Sequence, residues 1–283
     1  MHNDESKRWL ERWRLVPDGP LLITHTSHLL PVIRVTNGSK AMLKITYDES
    51  EQLGNALMVW WEANGAARVF AHENEAILLE RATGPASLSL MSRTGQDDAA
   101  CHILCRVANK LHASPKYPLS ALTPLRQWFS PLDVAAQRYG GILAYSAKVA
   151  EELLSTPLDL VSLHGDLHHG NVLDFAESGW LAIDPKGLSG ERGFDFANIF
   201  TNPDLGDPAY QVARVLSIFK QRLEIITALS GIHRERLLMW IIAWCGLSAA
   251  WSLEINNCVS VQLDVAKLAI AELSNYPKRL LKE

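Results

Sequence analysis

Residues 163–171 read LHGDLHHGN and follow the apolar run LDLVS at 158–162. Few nine-residue stretches constrain a chain more, because three histidines, an aspartate and an asparagine stand together with two glycines. Two chemistries compete for such a set. It is either a histidine metal site, or a catalytic loop that presents one base and one magnesium ligand. His164 and His168 stand four apart and would share a face only in a helix. Gly165 and Gly170 bracket the segment, and a strand-like run leads into it, so helix is disfavoured and the zinc reading weakens with it. The residues that follow favour the catalytic loop. GNVLDFAESGWLAIDP reads as two short strands, NVLDF and WLAID, joined by the turn AESG. Asp166 and Asn171 are then five apart, and Asp184 ends a strand thirteen residues later. These are hard oxygen donors of the kind Mg²⁺ takes, at strand and loop edges where side chains can converge away from the core.

Elsewhere the hydrophobic period changes once along the chain. Residues 6–16 have helical spacing, with Trp9 and Trp13 one turn apart. After PDGP, the segments LLITHTSHLL, PVIRVTN and KAMLKITY read as successive antiparallel strands, the last two separated by the turn signal NGS. DESEQLGNALMVWWEANG reads as a helix capped by Asp48 or Ser50 and closed by Asn64-Gly65, and ARVFAHE and AILLERA as two more strands. Beyond Gly84, helical period dominates at 97–113, 131–155, 208–230, 233–255 and 260–274, interrupted by a strand-rich island at 158–184. The expected architecture is α+β and bilobal. An antiparallel sheet lobe with one helix spans 1–81, and a mainly helical lobe spans 82–283, joined by an extended connector near LLERATGP.

Composition excludes several classes. With 48% hydrophobic and 20% charged residues the 283-residue chain is ordinary globular material. A net charge of −4 leaves no basic footprint for nucleic acid and is compatible with a cationic small-molecule substrate. The charged N-terminus has no apolar signal region, and LLMWIIAWCGLSAAWSL falls short of the roughly 20 residues of a spanning helix. It reads as a core helix. Cys101, Cys105, Cys245 and Cys258 are too scattered for a disulfide framework. The expectation is a cytoplasmic protein, with no membrane or protein partner implied.

HGDLHHGN with LAIDP downstream resembles the catalytic and metal-binding segments of the aminoglycoside phosphotransferases, which share the protein-kinase-like fold. Protein kinases carry H-x-D-x-x-x-x-N and then D-F-G. His164, Asp166 and Asn171 match the first pattern. Asp184 matches the second, with Pro185 in place of the phenylalanine. LSLHGDLHHGNVL, GWLAIDPKGLSGERGFDFANIFTNP and WCGLSAAW are similar to the branch that contains streptomycin 6-phosphotransferases and hydroxyurea kinases, and the likeness covers most of residues 20–255.

The resemblance implies an ATP-dependent small-molecule kinase. Asp166 is the catalytic residue that orients the attacking hydroxyl and takes its proton, and Asn171 and Asp184 hold Mg²⁺. Lys44, the only lysine in a strand-like apolar context of the first lobe, takes the α- and β-phosphates. Glu51 is favoured over Glu49 and Glu62 as its partner. No G-x-G-x-x-G precedes Lys44, and the turn THTSH stands in that place. Thr26, Ser27 and His28 are therefore candidate phosphate contacts, beside the bland reading of a plain hairpin turn. Adenine is expected against the connector backbone from Glu80 to Ala82. His164 and Asp195 brace the loop. Asp204, Trp251 and Glu254, with Asp207 in the same acidic loop as Asp204, suit a guanidinium-bearing aminoglycoside such as streptomycin. Two alternatives stand beside this: a kinase of another small molecule (hydroxyurea, a sugar or an amino alcohol), and an inactive nucleotide-binding scaffold.

Overall fold

Alternation in the strand around Lys44 decides which side of the first sheet is structural and which faces the rest of the protein. In the computed structural model, which describes residues 2–24, 26–113 and 122–275, the N-terminal elements are α1 (His2–Arg12), β1 (Leu15–Pro17), β2 (Leu22–Ile23), β3 (Ser27–Arg34), β4 (Lys40–Thr46), α2 (Glu49–Trp60), β5 (Val69–Glu73) and β6 (Ala76–Glu80). The strands form one antiparallel sheet in the order β1-β3-β4-β6-β5, with β2 also paired to β3. Ala41, Leu43 and Ile45 of β4 bury one face against Leu30, Val32, Leu78 and Trp9 of α1. Side chains two apart share a face, so Met42 and Lys44 point the other way. On that second face Lys44 lies opposite Ile77 and Met42 opposite Leu79 in the β4–β6 register.

Pro31 lies inside β3, where the sequence reading had ended one strand and begun another. Its carbonyl accepts from Asp18 N–H at 2.8 Å, in the gap between β1 and β2. The missing proline N–H points into that same gap, where no ladder bond is lost. The first helix also shifts, ending at Arg12, because Leu15–Pro17 pair with Val32–Arg34 as β1.

The remaining elements are α3 (Leu88–Arg93), α4 (Asp97–His112), β7 (Thr123–Pro124), α5 (Leu125–Trp128), α6 (Ser130–Tyr139), α7 (Gly141–Ser155), β8 (Leu160–Leu163), β9 (Val172–Asp174), β10 (Trp180–Ala182), β11 (Leu188–Glu191), α8 (Gly193–Asn198), α9 (Leu216–Ser230), α10 (Arg234–Glu254) and α11 (Ser260–Asn275). The helix expected at 131–155 is two helices. They break at Gly140-Gly141, both at positive φ, which a continuing helix cannot accommodate. The helix expected from 208 starts at Leu216 instead, because Asp204 Oδ1 accepts from Val212 and Ala213 N–H at 3.0 and 3.1 Å and holds that stretch as a loop.

Helix α10 explains its own apolar sequence. Every residue from Trp240 to Ala250 is buried, with α6, α7, α8 and α11 packed around it. Such a helix is hydrophobic all round because it is surrounded, with no membrane required. The same core takes in Leu57, Met58, Trp61, Ile77 and Leu79 from the first sheet and its helix, so apolar packing crosses the connector.

One buried ion pair fixes the segment after α8. Arg222 of α9 is 1% exposed and meets Asp97 at the start of α4 through two bonds, of 2.6 and 2.9 Å. Its remaining nitrogen donates to the carbonyls of Ile199 and Asn202 at 2.7 and 2.6 Å. Removing one partner of such a pair strands the other charge in the core. Arg222→Met should therefore lower the unfolding free energy in urea by about 3–5 kcal/mol, with Asp97→Asn added on top recovering part of the loss. A loss below about 1 kcal/mol would show that the pair carries no structural weight.

Candidate active site

The catalytic-loop candidate is held from below by one short helix. Asp195 of α8 is fully buried, and its Oδ2 and Oδ1 accept from the backbone N–H groups of His164 and Gly165 at 2.9 and 2.8 Å. His112, at the end of α4, adds a third donor, Nε2–H to Oδ2 at 2.8 Å. Burial alone would raise the Asp195 pKa. The hydrogen bonds from His112 and from the Gly165 amide outweigh it and hold the carboxyl below its usual range. One helical turn on, Asn198 Nδ2 donates to Asp166 Oδ1 at 3.0 Å. Asn202 fixes the orientation of that amide by donating to Asn198 Oδ1 at 3.0 Å. Helix α8 therefore sets both the loop backbone and the carboxylate that the loop presents.

Asn171 approaches Asp166 from the other side. Its Nδ2 donates to the Asp166 carbonyl at 2.9 Å and to Oδ2 at 3.2 Å. Both acceptors lack hydrogen, so the nitrogen must face them, and Asn171 Oδ1 is left as an outward acceptor. Asp166, with both oxygens steadied, remains partly exposed and has lone pairs to spare.

The three histidines of the motif take separate jobs. His164 is buried against Trp61, with ring centroids 6.2 Å apart, donates Nε2–H to the Ile183 carbonyl at 2.9 Å and accepts from Asp166 N–H at Nδ1. Burial lowers its pKa, which suits the neutral tautomer those two bonds require. His168 accepts from Gly170 N–H at 3.0 Å and leaves Nε2 3.6 Å from Asp166 Oδ1. His169 is buried, and neither ring nitrogen has a hydrogen-bond partner. Burial, seconded by Arg222, pushes its pKa well down. Among the described residues no three His, Cys, Asp or Glu side chains group as metal ligands.

Opposite this loop stands a ring of four charges. Lys44 Nζ donates to Glu51 Oε2 at 2.6 Å and to Asp184 Oδ1. Lys186 Nζ donates to Glu51 Oε1 at 3.0 Å and to Asp184 Oδ2 at 3.3 Å. Lys44 and Glu51 are buried, while Asp184 is partly open. Burial opposes ionisation of Asp184, but the two lysines outweigh it and hold the carboxyl well below the usual carboxylate range. Asp184 adopts φ +60°, which turns it off the end of β10; aspartate tolerates this left-handed conformation better than most residues. Glu62 lies beyond the end of α2, itself at positive φ and exposed, so Glu51 is the glutamate that meets Lys44. The side chain of Glu49 lies outside the described residues.

Other candidates from the sequence are placed less favourably for a ligand. Ser27 Oγ pairs with Thr46 Oγ1 at 3.1 Å and His28 Nδ1 with the Tyr47 hydroxyl at 2.8 Å, both in buried positions, while Thr26 is partly exposed. Glu80 gives its N–H to the Arg68 carbonyl at 2.8 Å and its carboxylate accepts from Ser178. Ala82 lies in the extended connector just beyond β6. Asp204 faces no solvent: it is buried, anchors the 203–213 loop and lies 3.5 Å from Arg214. Trp251 is half-buried, edge-on to Trp128 and Trp244 at 5.6 and 5.8 Å, and Glu254 is exposed at the end of α10. Asn198, Lys186 and His112 were not picked out from sequence, although Asn198 stands three after Asp195 and shares its helix face.

An arrangement of this kind can position a hydroxyl at Asp166 and neutralise an anion beside Lys44 and Lys186. Comparison with known proteins agrees with that chemistry. Over 86% of its length the chain is 52% identical to a streptomycin 3''-kinase of Klebsiella pneumoniae, covering 90% of that protein. A streptomycin 6-kinase of Streptomyces glaucescens is 29% identical over 93% of the chain and 86% of its own length. Among solved structures, the aminoglycoside phosphotransferase APH(4)-Ia superposes with a TM-score of 0.67 over 96% of this chain and 99% of its own. At 13% identity that likeness establishes the protein-kinase-like α+β fold alone. The family model for aminoglycoside/hydroxyurea antibiotic resistance kinases matches residues 12–256, so the chain belongs to that family and is a phosphotransferase with a hydroxyl acceptor.

Proposed function

We propose that the protein transfers the γ-phosphate of ATP to a hydroxyl of streptomycin, with Mg²⁺ as cofactor, and so confers resistance to the drug. The observation that carries the reading is the pairing of two assemblies. A steadied, half-open carboxylate at Asp166 stands beside Asn171, across from the Lys44–Glu51–Asp184 cluster. Phosphoryl transfer asks a protein for positioning and charge neutralisation above all. In this reading Asp166 accepts the hydrogen bond of the attacking hydroxyl and receives its proton as the new oxygen–phosphorus bond forms. Lys44 takes the α- and β-phosphates, and Glu51 keeps it aimed. The donor set suits magnesium: Asn171 Oδ1 and the Asp184 carboxylate are hard oxygens beside the loop. Held there, Mg²⁺ would supply charge neutralisation to the nucleotide phosphates. Backbone groups at Ala82 receive adenine, and Thr26, partly exposed, is the candidate of the turn that faces the phosphates. The chain then works as two lobes, 1–81 and 82–283, around that cleft, in the cytoplasm where the drug meets its target.

The sequence motifs left the acceptor hydroxyl open; the 52% relative carries the name of a 3''-kinase, which favours the 3''-hydroxyl. Incubation with Mg-ATP and streptomycin should add one phosphate mass to the drug, and two-dimensional NMR of the product should locate it at the 3'' position. Phosphate at position 6 would move the assignment to the other branch, and no product would end the antibiotic reading. A second prediction concerns the base. Asp166→Asn should cut kcat by roughly two to four orders of magnitude while leaving nucleotide affinity within about threefold. Near wild-type turnover in that variant would remove Asp166 from the chemistry.

A further inference from the structure

Lys186 is a second lysine at a site where the reading above uses only one. Its position is enforced from three directions. Its backbone N–H donates to the His164 carbonyl at 2.7 Å, which ties it to the catalytic loop. Its ammonium bridges Glu51 and Asp184. The segment carrying it is pressed backbone to backbone against α2: a Cβ on Gly54 would lie 1.9 Å from the Pro185 carbonyl oxygen, a distance no side chain tolerates. That contact allows a residue two past Asp184 to reach a glutamate on α2. Lys186 is also within electrostatic reach of Asp166.

The charge count shows what the second lysine is for. Lys44, Lys186, Glu51 and Asp184 form a closed ring of two cations and two anions. A neutral ring needs no further charge while the cleft is empty of phosphate. Were the Asp184 carboxylate to hold a metal ion, each lysine would still keep Glu51 as a partner. Lys44 is then matched to the inner phosphates. Lys186, fixed on the segment that runs from Asp184 back to the loop and within electrostatic reach of Asp166, would then have N–H groups to give.

We propose that Lys186 donates to the γ-phosphoryl group as it is transferred, acting as a second catalytic cation. The inference rests on the ATP-dependent reading above. In the transfer, the acceptor oxygen bonds to the γ-phosphorus and the bond from that phosphorus to the β–γ bridging oxygen breaks. ADP leaves with the electron pair, and the hydroxyl proton passes to Asp166. Lys186 keeps its protons throughout and neutralises charge on the γ-phosphoryl oxygens, an interaction that strengthens as the transition state forms.

A lysine that only cements α2 to the catalytic segment would treat ADP and ATP alike. The test is therefore the affinity of full-length protein for Mg-ADP and for a non-hydrolysable Mg-ATP analogue, measured by calorimetry beside steady-state kinetics. Lys186→Met should lower kcat by about 100-fold. It should also reduce the preference for the triphosphate analogue by about tenfold, with ADP affinity within about threefold of wild type. Lys186→Arg, which keeps the charge, should recover part of both losses and serves as the readout if the methionine variant does not fold. Equal loss of ADP and analogue affinity, or an unchanged triphosphate preference with kcat within about threefold of wild type, would overturn the inference and leave the kinase reading intact. Wild-type protein that binds neither nucleotide would overturn both.

Discussion

The buried carboxylate of Asp195 is the point on which the site depends. It gathers three N–H donors, two from the backbone at the start of the candidate loop and one from His112 of α4, at 2.8–2.9 Å. A charge buried this completely is tolerable only with such a set of partners. In return it freezes the loop at the residue pair before Asp166. Asn198 follows one turn later on the same helix and orients the carboxylate itself. Arg222 then holds the carbonyls of Ile199 and Asn202, just past the helix, so α8 cannot slide or unwind without disturbing the Arg222–Asp97 pair. The chain of support runs from the α4–α9 ion pair through α8 to the atom that would meet the substrate.

This arrangement divides the labour of the two lobes. The sheet contributes a rigid strand that carries Lys44, with its other face sealed by Trp9 and its neighbours. The helical region contributes the loop and its braces. The two meet at the ring of Lys44, Glu51, Asp184 and Lys186, each carboxylate there receiving both lysines. The first lobe reaches into the shared core through Leu57 and Met58 of α2, Trp61 just after it, and Ile77 and Leu79 of β6. Trp61, the residue after α2, lies against His164, so the helix whose Glu51 meets Lys44 is continuous with packing on the candidate loop. Catalytic geometry and core packing are therefore not separable along this face.

Residues that stand in a contiguous pattern could be proposed from the sequence. Asp166 and Asn171 lie in one loop, Asp184 ends the next hairpin, and Lys44 stands out by the period of its strand. Glu51 could be preferred over Glu62 because it opens a helix, while Glu62 closes one, and the structure brings Glu51 to the lysine. What escaped detection required contacts between distant segments. Lys186 meets a glutamate 135 positions away, His112 an aspartate 83 away, and Arg222 one 125 away. Asp204 shows the opposite failure. An acidic residue in a polar loop looks substrate-facing, but a carboxylate that accepts neighbouring backbone amides is drawn inward, and composition does not reveal this. The start of α9 was misplaced for a similar local reason, since the bonds that delay it come from that same aspartate.

The claim that one short helix sets the working geometry of Asp166 is tested most directly by hydrogen exchange and turnover on Asp195→Asn. That substitution keeps the shape of the side chain and removes the charge that gathers the loop amides. The account predicts faster exchange of the His164 and Gly165 amides and a fall in kcat of about 100-fold, the scale expected for misplacement of a positioned group, with the overall fold retained. Unchanged protection of those two amides together with near wild-type turnover would contradict it.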